Sequence, residues 1–132
     1  ECEEQELARL IEESVRGVPD LRRCVFNFHD PPIDSTLDTC PQLDWNTDPP
    51  TQITVAGQVV LIGAGSTAVR AAIELYQPAL GLHGHIHESR GVVKIGRTTC
   101  INPGSEYGEG VLRGCILNLH DGEVMSYQLT SG

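Results

Sequence analysis

The spacing of apolar residues changes along this chain, and that change constrains the fold more than any other feature. Leu7, Leu10, Ile11 and Val15 fall on one stripe at helical spacing, so residues 3–16 are predicted as a helix, ended by Gly17 and Pro19. Val69, Ala72, Ile73 and Tyr76 repeat the spacing, with Ser66 in the N-cap position and Pro78 as the stop, predicting a second helix over 66–77. The remaining apolar segments are short runs of β-formers at 24–28, 58–62, 79–82, 92–95, 98–101, 111–119 and 124–129. Gly96-Arg97 reads as the turn of one hairpin and Asp121-Gly122 as that of the last. Helices interleaved with strands imply a sheet layered with helix, an α/β chain without internal repeats.

A chain of 132 residues, of which 39% are apolar, suits one globular domain over 1–132. Its formal net charge of −9 repels nucleic-acid phosphates, which excludes non-specific nucleic-acid binding as an expectation. A small phosphorylated ligand stays compatible with that charge, because a bound metal ion overrides the global sign locally. Five cysteines, an odd number without a CxxC pair, predict reduced and mostly buried thiols in a cytoplasmic protein. No apolar run approaches the roughly 18 residues that a membrane span needs, and the Glu-rich start is unlike a signal peptide. The chain opens at Glu1 directly into a helical pattern, which suggests a fragment.

Two segments admit two readings each. Residues 30–57 hold five prolines and many Asp, Thr and Ser, and read as a long loop, either a binding lid or a linker. Trp45 within it either meets a ligand or packs the loop down, and packing is the expectation. Gly63-Ala64-Gly65-Ser66 resembles a phosphate cradle before a helix. It lacks the lysine of a P-loop and is too short for a dinucleotide fingerprint, so simple N-capping is the preferred reading.

The chemistry concentrates in histidine. Three of the five lie in Leu82-His83-Gly84-His85-Ile86-His87. In extended backbone the i, i+2 spacing of His85 and His87 puts both rings on one side, where two neutral imidazoles suit Zn, Mn, Fe, Co or Ni. An ordinary polar loop is the other reading of so short a pattern. His29 also ends an apolar strand, before Asp30-Pro31-Pro32. Two strand ends that each stop in histidine can converge on one ion, and three imidazoles would leave a coordination position open.

Gly84-His85-Ile86-His87 resembles the GHxH motif of calcineurin-like metallophosphoesterases. Phe28-His29-Asp30-Pro31-Pro32, Gly65-Ser66 opening a helix, Tyr76-Gln77-Pro78, Glu88-Ser89 and Ile101-Asn102-Pro103-Gly104-Ser105 resemble further features of that family, the last being the INPGS turn of its bacterial and archaeal branch. The resemblance covers nearly all of the chain, in order. It implies the C-terminal half of an αββα sandwich: a mixed sheet with two helices and a long loop. It also implies a hydrolase in which two divalent ions (Mn, Fe, Zn, Co or Ni), about 3.5–4 Å apart, hold a hydroxide that attacks a phosphomonoester or phosphodiester. On that footing His29 and His85 would bind one ion and His87 the other. His83, Asn102 and Ser105 would lie at the site's edge or just behind it.

The family's Asp-x-His, Gly-Asp-x-x-Asp and Gly-Asn-His-Asp/Glu motifs do not occur in the sequence. The resemblance assigns to them the bridging aspartate, most of one ion's ligands and the catalytic histidine, so no catalytic residue is expected in this chain and little turnover from it alone. A complete enzyme would need the N-terminal half, in the same product or as a partner, and would act on a small phosphorylated substrate. Without that half, one apolar sheet face is expected to be exposed, favouring a homo-oligomeric contact. Two other functions fit the same residues: a non-catalytic protein-binding scaffold of this fold, and a domain holding a single ion through His29, His85 and His87.

Overall fold

The computed structural model describes residues 3–132, so Cys2 lies outside the described residues. In chain order the elements are α1 (Glu4–Val15), β1 (Val25–Asn27), β2 (Thr39–Pro41), β3 (Leu43–Asp44), β4 (Thr51–Gln52), β5 (Thr54–Val55), β6 (Gln58–Val59) and β7 (Leu61–Gly63). There follow α2 (Thr67–Tyr76), β8 (Leu80–Leu82), β9 (Gly91–Ile95), β10 (Thr98–Asn102), β11 (Arg113–His120) and β12 (Glu123–Ser131). Two helices, a four-stranded mixed sheet and several small hairpins make this a mixed α/β structure.

The sheet runs β1-β8-β10-β9. β1 and β10 both pair parallel to β8, while β9 is antiparallel to β10. The register aligns Phe26, Gly81 and Cys100 across three strands and leaves Asn27, Leu82 and Ile101 as the next row, facing the other way. The first row joins Ile95 in a core with Ile11 of α1 and Val69, Ala72 and Ile73 of α2. The second stripe is buried in this core apart from the partly buried Tyr76, whereas of the first only Ile11 is buried, Leu7 and Val15 pack against the core in part, and Leu10 is 41% exposed. Val69, Ile73 and Cys100 are 0% exposed, and each such side chain contributes roughly 1.5–3 kcal/mol of transfer free energy if it is a Val, Leu or Ile.

The hairpin β11–β12 lies over the other face. Its turn has φ of 50° at Asp121 and 78° at Gly122, the pair of positive values that a tight type I′ turn requires. Arg23 bonds Asp121 at 2.8 Å, and the Arg90 guanidinium donates to the Thr130 carbonyl at 3.3 Å. The expected bare face is partly covered: Leu80 is 1% and Ile101 0% exposed, whereas Val25, paired with Leu80 on the edge strand, is 44% exposed. Ile116, Met125 and Tyr127 of the hairpin are exposed as well.

The 30–57 segment also departs from the expected structureless loop. It folds, together with 58–63, into three short antiparallel ladders, β2–β7, β3–β4 and β5–β6. Its base is built on Asp38, which is 1% exposed and accepts from the Asp34, Ser35 and Gly65 amides at 2.9, 3.1 and 3.2 Å. Gly65 passes so close to Pro31 that a Cβ there would lie 2.6 Å from the Pro31 carbonyl oxygen. Trp45 does not pack the segment down; it is 76% exposed, because two-residue ladders offer no apolar face for an indole to cover. The cysteines are less buried than expected: Cys100 is buried, whereas Cys24, Cys40 and Cys115 are only partly so, and all four are free.

Candidate histidine site at the sheet rim

β1 and β8 are parallel neighbours, so their C-terminal ends reach the same rim. Beyond the paired residues the Phe28 amide still donates to the Leu82 carbonyl at 3.1 Å, and the Gly84 amide to the His29 carbonyl at 2.8 Å. This extended pairing brings His29 and His85 together with ring centroids 5.4 Å apart and planes at 73°. Two imidazoles on one tetrahedral ion, with metal–nitrogen bonds of about 2.0–2.1 Å, place their centroids at a separation of about 5 Å. The His29–His85 separation is of that order, with the two rings meeting edge-on.

His85 reaches this position through strained backbone. Its φ is +61°, and the Ile86 amide donates to the Gly84 carbonyl at 2.7 Å. An i to i+2 bond around a positive-φ residue is a γ-turn of the rarer, strained kind. The extended i, i+2 geometry expected for His85 and His87 is thereby overturned. The turn separates their directions, and His87 sets its ring edge-on to Tyr107 at a centroid distance of 5.6 Å. Both His85 and His87 are exposed. Among the described residues no three His, Cys, Asp or Glu side chains are grouped as a metal ion would require.

The scaffold of this turn is Asn102, 1% exposed at the end of β10. Its Nδ2 donates to the carbonyls of Leu37, Gly84 and Ile86 at 3.2, 3.2 and 2.9 Å. Its Oδ1 accepts from the Gly104 amide at 2.9 Å. Asn102 thus clamps both carbonyls that flank His85 and closes the turn that follows β10. Ser105 acts through its main chain, donating to the His87 carbonyl at 3.1 Å. A Cβ on Gly104, whose φ is +74°, would lie 3.0 Å from that same carbonyl oxygen, so glycine fits where bulk does not.

His83 braces the opposite side. It is 6% exposed, and its Nδ1 lies 3.1 Å from the carbonyls of Phe28 and of Asp30. Two carbonyl acceptors require the proton on Nδ1, so the ring is a donor that fixes the residues on either side of His29. Nε2 is buried without a partner. Burial holds the His83 pKa below its ordinary value, although the two carbonyl bonds oppose that shift.

Two acidic residues that the sequence reading did not assign to the site stand beside it. Asp30 places Oδ1 3.8 Å from His85 Nδ1; a strand end that delivers His29 to the rim delivers the next residue too. Glu4 of α1 reaches the N-terminus of α2, where Oε2 accepts from the Ser66 and Thr67 hydroxyls and the Ala68 amide at 2.9, 2.8 and 2.7 Å. Partial burial would raise the Glu4 pKa, but these hydrogen bonds outweigh it and the pKa lies below the usual value. Ser66 meanwhile caps the helix, accepting from the Val69 amide at 3.1 Å. The Gly63–Ser66 turn therefore serves N-capping, and a carboxylate of the chain itself already engages that helix end.

Two imidazoles and two carboxylates border one rim cavity of about 350 Å³, which lies between Glu4, His29, Asp30, His85 and the Gly65-Ser66 turn. Comparisons with family models, with curated proteins and with solved structures found no match to this chain. No helix among the described residues is long and apolar enough to cross a membrane.

Proposed function

We propose that this chain is the C-terminal, histidine-bearing part of a divalent-metal-dependent phosphoesterase of the calcineurin-like kind. The observation that carries the reading is the juxtaposition of His29 and His85, 5.4 Å apart although 56 positions separate them in sequence (85 − 29 = 56). His29 and His85 would hold one ion and His87, on the far side of the γ-turn, would contribute to a second. The residues present fit part of a metal centre and not a whole one, because the three histidines do not form one group and the bridging carboxylate motifs do not occur in the chain. When bound, the ions would supply charge neutralisation of phosphate oxygens and an acidified water. The chain's own contribution is positional: Asn102 and His83 hold the backbone on which His85 and His29 are mounted. Catalysis would need acids from a second polypeptide segment, and the chain alone is expected to turn over little substrate.

Cobalt titration of the purified chain tests this reading. Co²⁺ should bind with the visible absorption of imidazole coordination, and His29→Ala or His85→Ala should weaken binding clearly, because each removes one of the two imidazole ligands. His87→Ala should leave this first ion largely in place. Equal affinity in the wild type and in the double variant His29→Ala/His85→Ala would refute the proposal.

A further inference from the structure

At the end of the sheet away from the histidine rim, a small cavity of about 190 Å³ lies between β9, β10 and the turn end of the β11–β12 hairpin. Lys94, Arg97, Thr99 and Glu123 border it, together with Ala79 and Val124. The strand register puts it there. Thr99 pairs with Leu80 at the start of β8 and with Lys94 on β9. β8 runs from Leu80 toward His83 and the rim, so cavity and histidines lie at different ends of one strand.

Arg97 is held in place by the chain itself. Its amide donates to Gln77 Oε1 at 2.8 Å, and its Nη1 donates to the carbonyls of Arg22 and Gln77 at 2.8 and 2.9 Å. A guanidinium carries more N–H donors than these bonds use. Nε and Nη2 have no partner among the described residues, and that edge is the fork that grips an oxyanion through two parallel bonds. Lys94 is exposed and makes no ion pair among the described residues. Thr99 is 4% exposed, and its hydroxyl has no hydrogen-bond partner among the described residues.

We infer that this cavity binds a small tetrahedral oxyanion of the phosphate class, gripped by the free edge of Arg97, neutralised by Lys94 and met by the Thr99 hydroxyl. Its volume is below the roughly 300–1,000 Å³ that whole small molecules occupy and suits one phosphate-sized group. Two cations face a single carboxylate, Glu123, although the chain carries a net charge of −9. Glu123 forms no ion pair with either cation, so both stay available, and its charge limits the affinity. Because two carbonyls already fix the Arg97 guanidinium, binding orders little further side chain. Among the described residues no histidine borders this cavity, so its occupancy is independent of any metal at the rim.

Two-dimensional amide NMR of the purified chain, titrated with sodium phosphate and separately with sodium chloride at matched ionic strength, tests the inference. Phosphate should give saturable shifts at the amides of Lys94, Arg97, Thr99 and Val124, and chloride should not. Lys94→Ala should weaken phosphate binding roughly tenfold, and Glu123→Gln should strengthen it about fivefold. Arg97→Ala would also release the Arg22 and Gln77 carbonyls, so the two variants at exposed positions carry the test, each first checked for a native spectrum. Phosphate shifts that do not saturate, that equal those of chloride, or that are unchanged in both variants overturn the inference. Saturable shifts confined to the amides around His29 and His85 overturn it as well. Phosphate still bound beside Lys94 in the His29→Ala/His85→Ala double variant supports it, whatever becomes of Co²⁺ binding.

Discussion

Two regions of this molecule outside the main sheet differ in composition and in construction. The 83–87 turn is rich in histidine, whereas the 39–63 ribbon carries Trp45, Val55, Val59, Leu61 and Ile62 exposed. The turn is short and bound on every side: Asn102 clamps its carbonyls, His83 braces the adjoining strand end, and Ser105 ties down His87. The ribbon is long and anchored mainly at its base, by Asp38, while its outer ladders are exposed. The contrast shows where rigidity is concentrated. Buried side chains saturate the backbone around the histidines, which holds even a strained residue in place, whereas the ribbon relies on solvated backbone pairs.

The largest test of that contrast is Asn102→Ala. Removing the clamp leaves buried carbonyls and an amide unpaired, with an expected loss of about 3 kcal/mol in urea unfolding, and NOEs between the His29 and His85 rings should vanish. A loss below about 1 kcal/mol with the NOEs intact would mean that the turn holds itself. Asp38→Asn should cost less, about 2 kcal/mol, because one amide oxygen replaces two carboxylate oxygens that receive three amides. Its effect on proteolysis should fall on the ribbon and spare the turn.

A pH series sharpens the role of His83. Its folded pKa is depressed by burial, so below its ordinary value of 6.5 the unfolded chain binds a proton that the folded chain does not. Stability from this residue is therefore fully present above 6.5 and falls as pH drops from there toward the folded pKa. Urea midpoints measured from pH 7.5 to 5 in wild type and in His83→Phe should diverge in slope; parallel curves would remove His83 from the account. Smaller again is His85→Gly, expected to gain up to about 1 kcal/mol by relieving the positive φ, while Co²⁺ binding weakens as in His85→Ala. A destabilised glycine variant would show that the ring at 85 contributes packing that its exposure does not suggest. Smallest of all, Trp45→Ala should change stability by less than about 0.5 kcal/mol, and wild-type tryptophan emission should already resemble that of indole in water.

Much of the local structure was legible in the sequence. The stripes Leu7–Val15 and Val69–Tyr76, the Ser66 cap, the stop at Pro78 and the Asp121-Gly122 turn all appear where spacing and turn chemistry place them. Each depends on neighbours within about one helical turn or one hairpin loop. The pairing of β1 with β8, the meeting of His29 with His85, the reach of Glu4 to α2 and the three carbonyls on Asn102 were decided only by the tertiary structure. These contacts join residues tens of positions apart, where chain connectivity imposes no geometry and the packing of one sheet face against two helices selects the register. The same packing drives His85 into left-handed backbone, a conformation that local preference opposes and that Asn102, buried beneath it, maintains.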